Sequence, residues 1–154
     1  MAGVFTATTE GERALTTAST KTMMEIMGTA NVYAKLVEFG ISFDGTSSVQ
    51  DPVLIELYQI TASGTGTAAT EIDFQQTGGT SQCQMKYNNT VEPTKGSRVA
   101  GWEVHPQGGV LLVQYPLGRE PAISRFSASQ GLAVVYTTAS GVTPNCFGYM
   151  VWEE

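Results

Sequence analysis

The sequence predicts an all-β protein, a jelly-roll-like β-sandwich of about eight antiparallel strands that follows an extended N-terminal arm. Apolar and polar residues alternate with a period of two in most apolar segments, which is the pattern of strands with one buried face. Turns rich in Gly, Pro, Ser and Thr separate these segments at short intervals. Charged residues make up only 14% of the 154 residues, and the Ala/Glu/Lys/Leu-rich stretches of helical proteins are missing.

The N-terminal segment differs in composition from the rest of the chain. Residues 1–30 are rich in Thr, Ala and Ser, and a segment of this kind buries little apolar surface by itself. We therefore expect two parts, an arm over residues 1–30 and a β-sandwich domain over residues 31–154. Within the arm, residues 20–27 contain three methionines and fit either a strand or a short helix.

Residues 35–60 are predicted to form a strand, a loop and a second strand. Val37, Phe39, Ile41 and Phe43 alternate with polar or small residues. Upstream residues 32–36 alternate in the opposite phase, so one inserted residue near position 37, a β-bulge, brings both sets onto one face. The turn-rich sequence DGTSSVQDP then fills positions 44–52 and leads into a strand that starts at Val53.

The remaining chain predicts further short strands. Alternating or continuous apolar runs place them at residues 81–87, 98–104, 110–115, 123–127, 132–138 and 146–152. The unbroken run at residues 110–115 predicts a central strand that is covered on both faces. Long loops at residues 44–52, 62–70 and 88–97 favour a two-sheet jelly roll over a closed up-and-down barrel.

Charge and hydropathy exclude several classes of function. The net charge is −6, the pI is about 4.7, and the eight Lys and Arg residues are scattered. Nucleic-acid binding needs clustered basic residues, so we expect no nucleic-acid partner. No apolar run approaches transmembrane length, and the first residues do not resemble a secretory signal. We expect no membrane partner and synthesis in a cytosol.

The residue types needed for catalysis or metal binding do not occur in a recognisable pattern. His105 is the only histidine, and it lies in a Gly- and Pro-rich loop. No nucleophile elbow accompanies it. The carboxylate pairs Asp44/Asp51 and Glu71/Asp73 match no calcium-loop spacing. We therefore expect no enzyme activity, no cofactor and no metal.

Two cysteines, Cys83 and Cys146, are too few for a disulfide framework. Each lies in an alternating apolar run, which is typical of buried free thiols. A single bridge between two strands is the alternative that the sequence leaves open.

Several spaced segments resemble a family of small structural proteins encoded by tailed bacteriophages. These segments are KLVEFGISFDGTSS, PVLIELYQITASGTGTAAT, WEVHPQGG followed by YPLGREP, and the ending CFGYMVWEE; together the resemblance covers residues 31–154. The resemblance implies a jelly-roll-like capsid decoration, or cement, protein that binds the outside of an expanded head, commonly as a homotrimer at three-fold positions. It further implies the major capsid protein as partner and the capsid surface as location, after synthesis in the host bacterial cytoplasm.

The arm suggests a mode of attachment. An extended segment can add a strand to the sheet edge of a neighbour through main-chain hydrogen bonds. We expect residues 2–15 to contact the capsid or an adjacent subunit, and deletion of these residues to leave a folded domain that no longer binds heads. The candidate contact residues are Val4, Phe5, Thr6, Thr8 and Leu15.

Two other functions are alternatives to decoration. A receptor- or carbohydrate-binding jelly roll of a phage tail or head fibre would carry exposed aromatic residues in a loop-lined cleft, and few loop aromatics are present. A metal-dependent enzyme on a β-barrel needs several histidines with a carboxylate, and this chain has one histidine.

Overall fold

A computed structural model of the chain describes residues 3–45, 51–123 and 130–154. These ranges contain β-strands and no helix, and hence no helix that is long and apolar enough to cross a membrane. The strands are β1 (Val4–Thr8), β2 (Arg13–Ala14), β3 (Thr20–Met27), β4 (Ala34–Phe43), β5 (Val53–Ala62), β6 (Thr65–Ala68), β7 (Ile72–Asp73), β8 (Gln84–Val91), β9 (Thr94–Val104), β10 (Val110–Gln114), β11 (Ala122–Ile123), β12 (Gly131–Thr137) and β13 (Asn145–Glu153).

The strands form two antiparallel sheets with jelly-roll pairing. One sheet has seven strands, in the order β10-β4-β13-β1-β7 with β11 and β2 at its margins, and the other has the order β6-β8-β3-β12-β5-β9. Among the eight main strands, β1 pairs with β13, β3 with β12, β4 with β10 and β5 with β9. When only these eight strands are counted in chain order, the first strand pairs with the last and the second with the seventh. A long hairpin that is rolled into two sheets has this pairing. The predicted all-β sandwich is confirmed.

Strand β4 contains the predicted bulge. Its neighbour β13 pairs Val151 with Glu38 and Trp152 with Leu36, so Val37 is the inserted residue. Leu36 on one side of the bulge and Phe39 on the other are both fully buried. The extra residue corrects the phase of alternation and keeps both halves of the strand facing the core.

The core lies between the two sheets. Fully buried side chains fill it, including Leu36, Phe39, Ile41 and Trp152 from the seven-stranded sheet and Met24, Ile26, Ile55 and Leu57 from the six-stranded sheet. Phe5 stacks on Trp152 with ring centroids 6.3 Å apart, and Phe39 meets the edge of Trp102 at 5.5 Å. Each large apolar side chain stabilises the fold by about 1.5–3 kcal/mol.

The N-terminal segment lies within the sandwich, which differs from the expected extended arm. Strand β1 is inserted between β13 and β7, and β3 lies between β12 and β8. Phe5 and Leu15 each expose 4% of their surface and belong to the core. The segment gains its buried surface from strands near the other end of the chain, so its own composition did not reveal it. Residues 20–27 form a strand, which decides between the two structures expected there.

Strand β10 is not the covered central strand that its apolar run predicted. Among the described strands it is the last of the seven-stranded sheet and pairs with β4 alone. Its side chains alternate between exposed and half-buried, so the prediction of two covered faces is wrong. The predicted loops at residues 62–70 and 88–97 contain strand β6 and parts of β8 and β9. Residues 46–50 and 124–129, with most of the predicted strand at 123–127, lie outside the described ranges.

One pair of chain segments connects the two ends of the six-stranded sheet. Pairing of β5 with β9 extends to Ala62 and Thr94, and pairing of β6 with β8 begins at Thr65 and Val91. The two strand pairs therefore form one continuous bent ribbon, which we call the ribbon (residues 60–68 with 86–95). The seven-stranded sheet has no equivalent among the residues that the structure describes.

Candidate interaction surface

The residues considered for catalysis stabilise local structure. The exposed His105 accepts a hydrogen bond at Nδ1 from the backbone N–H of Gln107, at 3.2 Å. The Asp73 carboxylate accepts hydrogen bonds from the backbone N–H of Gly79 and from Thr77 Oγ1, both at 3.0 Å. Within the described part of the chain, no three His, Cys, Asp or Glu side chains are grouped to hold a metal ion.

Both cysteines are free and buried. Burial, assisted by the nearby Glu154 carboxylate, raises the pKa of the Cys83 thiol far above its ordinary value. Burial raises the pKa of Cys146 to about 12. Both side chains are therefore neutral thiols at physiological pH, and neither has the low pKa of a nucleophilic cysteine.

A buried carboxylate fastens the ribbon to the six-stranded sheet. Glu25 on β3 is fully buried. It accepts hydrogen bonds from Ser63 Oγ at 2.5 Å, from the backbone N–H of Gly64 at 3.0 Å and from Asn89 Nδ2 at 2.7 Å. Each of these donors belongs to the ribbon, so the Glu25 carboxylate holds the ribbon against strand β3.

The predicted contact residues divide between two faces of β1. Phe5 points into the core, as does Leu15 in the segment after β1. Val4, Thr6 and Thr8 alternate with the inward residues of β1 and are half-buried. Register places Thr6 beside Val151 and Thr8 beside Tyr149, so these three side chains lie on the outer surface of the seven-stranded sheet.

The outer surface of the seven-stranded sheet is apolar where β10, β4 and β13 lie side by side. Val110, Leu112 and Phe147 expose 71%, 54% and 36% of their surface. Leu112, Gly40 and Tyr149 form one row across the three strands. A Cβ at position 40 would collide with the Tyr149 ring, so glycine allows the ring to lie flat. These five residues, which we call the open face, surround a hollow of about 290 Å³.

The carboxylate beside the open face is satisfied within the chain. Glu38 accepts a hydrogen bond from the Tyr149 hydroxyl through Oε1 and one from Gln114 Nε2 through Oε2 at 2.5 Å. Burial, with the adjacent Glu38 carboxylate, raises the pKa of Tyr149 to about 12, so the phenol stays protonated as a donor. The open face thus presents apolar groups with no ionised group of its own.

A second depression is polar. The loops around Tyr33 and Thr77–Thr80 border an open groove of about 670 Å³, with Gln82 and Glu154 along one wall. Tyr33 exposes 50% of its surface. Glu154 accepts hydrogen bonds from Ser81 Oγ and from the backbone N–H groups of residues 82 and 83, so its carboxylate holds the groove wall in place.

The open face was not predicted from the sequence, although the sequence contains part of the signal. The alternating apolar run that contains Cys146 places Phe147 and Tyr149 on the opposite, outward side of the strand. The exposure of Leu112 had no comparable signal, because an unbroken apolar run does not reveal whether a neighbouring strand covers it.

Comparison with known proteins finds only weak similarity. No family model matches the sequence, and no curated protein matches it. Weak structural likeness exists to particles of infectious bursal disease virus. Identity and TM-score are 14% and 0.30 for the T13 viral particle, 15% and 0.28 for a T=1 particle, and 17% and 0.30 for a VP2 subviral particle. Each alignment covers 99% of this chain and 39%, 40% and 41% of the respective viral chain. The chain thus spans about two fifths of the length of those proteins, and these values assign it to no family.

Proposed function

We propose that the chain is a non-enzymatic structural protein of a virion that binds and stabilises the outer head shell of a tailed bacteriophage, as a decoration or cement protein. The observation that carries this proposal is the open face. A contiguous exposed apolar patch on a soluble protein marks an interaction site. The sequence resemblance over residues 31–154 supports the head shell as the partner.

The composition of the outer surface fits attachment to a large protein surface. Val110, Leu112 and Phe147 supply apolar area near the sheet edge, and the half-buried Thr6 and Thr8 continue the same surface towards the opposite edge. Apolar cores with polar margins are typical of protein interfaces. The net charge of −6 disfavours binding to packaged nucleic acid.

The proposal refines the contact residues expected from the sequence. Val4, Thr6 and Thr8 stay in the proposed contact surface, together with the open face. Phe5 and Leu15 support that surface from the core, where they are buried. The partner is the major capsid protein, the location is the capsid surface after synthesis in the bacterial cytoplasm, and the homotrimer remains the oligomer that the resemblance implies.

A binding experiment with expanded heads that lack this protein tests the proposal. Phe147→Glu places a charge in the open face on an outward, exposed position of β13, so we expect folding to be retained. A buried unpaired charge weakens an interface by several kcal/mol, so head binding should fall at least about tenfold. Val99→Glu is the matched control, because Val99 is 42% exposed on the other sheet. Equal head binding by wild type and Phe147→Glu would refute the proposal.

The polar groove favours a second candidate function, a receptor- or carbohydrate-binding module of a phage fibre. An exposed tyrosine beside amide and hydroxyl side chains can stack on a sugar ring and bond its hydroxyls. Tyr33→Ala should then abolish binding to an array of bacterial surface glycans, while leaving head binding unchanged. If wild-type protein binds no glycan on such an array, this candidate fails.

A further inference from the structure

The backbone of β10 offers an unpaired strand edge. Tyr115 donates to the Val37 carbonyl, and the Gly109 carbonyl accepts from Phe43. Hydrogen-bonded pairs alternate in an antiparallel ladder, so residues 111 and 113 also bond to β4. The N–H and C=O groups of residues 110, 112 and 114 therefore point away from β4, and no described strand lies there.

We propose that this edge pairs with the β10 edge of a second copy of the chain, antiparallel and about a two-fold axis at Leu112. In this register Leu112 lies opposite Leu112 of the other copy, and Val110 lies opposite Gln114. Each opposed pair exchanges two hydrogen bonds, which gives about six across the junction. The pairing brings the two open faces together as one continuous apolar surface.

Charge favours a second copy as the occupant. Strand β10 contains no ionisable residue, and the nearest carboxylate on the same face is Glu38, which is paired in register with Gln114. Strand spacings place the two Glu38 carboxylates about 20 Å apart across the junction. This distance is well beyond the screening length of about 8 Å at physiological salt, so the acidic chains do not repel each other at the edge.

The other sheet edges in the described ranges are protected against such pairing. Strand β9 carries Lys95 and Arg98, and its pairing with β5 shifts register three times. Charges and bulges of this kind prevent edge-to-edge association. Strand β7 has 2 residues and β6 has 4, which is too short to offer a long ladder. Strand β10 is regular over its five paired residues, so self-pairing closes at two copies.

Two-fold pairing is compatible with the trimer that the sequence resemblance implies. On a closed shell, neighbouring three-fold positions are related by two-fold axes. On the shell, the β10 junction would link one chain of a trimer to one chain of its neighbour, and the shell raises their effective concentration. The free chain in solution has a single β10 edge and pairs only two at a time. The inference itself does not rest on the proposed function, since it concerns the association of the chain with itself.

Sedimentation equilibrium at concentrations up to about 1 mM tests the pairing, since an interface of one short strand is weak. The wild-type mass should double with concentration. Leu112→Lys and Leu112→Glu should each remain unpaired, because the two-fold axis places like charges directly opposite each other. An equimolar mixture of the two variants should pair again. Leu112→Val keeps both backbone and apolar character and is the control that should still double.

Circular dichroism and thermal unfolding establish that the variants are folded, which we expect because Leu112 is exposed. The proposal is overturned if wild type keeps the mass of a single chain over the whole concentration range. It is also overturned if the two charged variants fail to pair when mixed, or if wild type forms open-ended polymers instead of closed pairs. If the chain binds heads but does not pair with itself, the proposed function stands and only the pairing is wrong.

Discussion

The outer surfaces of the two sheets differ in how far their apolar residues are exposed. On the six-stranded sheet, Ile60, Ala133 and Val135 point outward and yet are at most 1% exposed, because Met27 and Tyr58 pack over them. On the seven-stranded sheet, Val110 and Leu112 point outward and expose more than half of their surface. Outward apolar residues thus form a small second core on one sheet and an exposed apolar patch on the other.

The ribbon is a second difference between the two sheets. The chain between β5 and β9 adds β6 and β8 to the six-stranded sheet, and Glu25 ties the turn at Ser63 and Gly64 to that sheet. No described segment does the same for β10, β4 and β13. In the described ranges, one surface is covered from within the chain, and the other is the surface that the proposed association would cover.

The largest effect should follow removal of β1. Deletion of residues 1–9 removes the strand between β13 and β7, together with the Phe5 ring that stacks on Trp152. We expect loss of the cooperative unfolding transition, measured by circular dichroism on heating. A truncated protein that melts like wild type would show that the seven-stranded sheet does not depend on its N-terminal strand.

Breaking the attachment of the ribbon should have the next largest effect. Glu25→Ala leaves the Asn89 amide and the Gly64 N–H buried without their acceptor. At about 1–3 kcal/mol for each unsatisfied donor, the free energy of unfolding should fall by about 2–6 kcal/mol. Urea denaturation measures this loss. Glu25→Gln retains one acceptor oxygen and should lose less. Equal stability of Glu25→Ala and wild type would refute the role given to this carboxylate.

Proline substitutions at two adjacent positions of β10 should distinguish the backbone groups that bond to β4 from those that point away from it. Leu111→Pro removes an N–H that bonds to β4 and leaves its acceptor unsatisfied, so it should cost about 1–3 kcal/mol. Leu112→Pro removes an N–H that points outward, which edge strands tolerate, and should cost less than about 1 kcal/mol. Chemical denaturation of both variants checks the expectation. The assignment of the outward residues is wrong if the two losses are equal or reversed.

The smallest expected change in stability comes from the same substitution at one valine on each outer surface. Val135→Thr buries a hydroxyl where Val135 is fully covered, so stability should fall by about 1–3 kcal/mol. Val110→Thr makes the same chemical change at a residue that is 71% exposed and should stay within about 0.5 kcal/mol of wild type. A loss of similar size at both sites would mean that the open face is covered.

The sequence predicted those features that depend only on a short segment of the chain. The phase change around Val37 predicted a bulge, and the structure has it, because the periodicity of a strand directly reports which side is buried. The turn-rich segments predicted the multistranded sandwich for a similar reason, since Gly and Pro disfavour strand interiors.

Long-range pairing was beyond prediction from the sequence. Val4–Thr8 is a weak strand signal, and its partner Asn145–Glu153 lies at the other end of the chain. Strand β10 has a strong apolar signal, but the position of a strand in the sheet order is not encoded in its own residues. For the same reason, the open face is visible only once β10, β4 and β13 are adjacent.

Amide hydrogen exchange along β10, at low and high protein concentration, tests most directly whether the seven-stranded sheet is left open for a second copy. The amides of Val110, Leu112 and Gln114 should exchange rapidly in dilute protein and become protected as concentration rises, while those of Leu111 and Val113 stay protected throughout. Rapid exchange of Val110, Leu112 and Gln114 at every concentration would contradict the account, as would protection of all five amides in dilute protein.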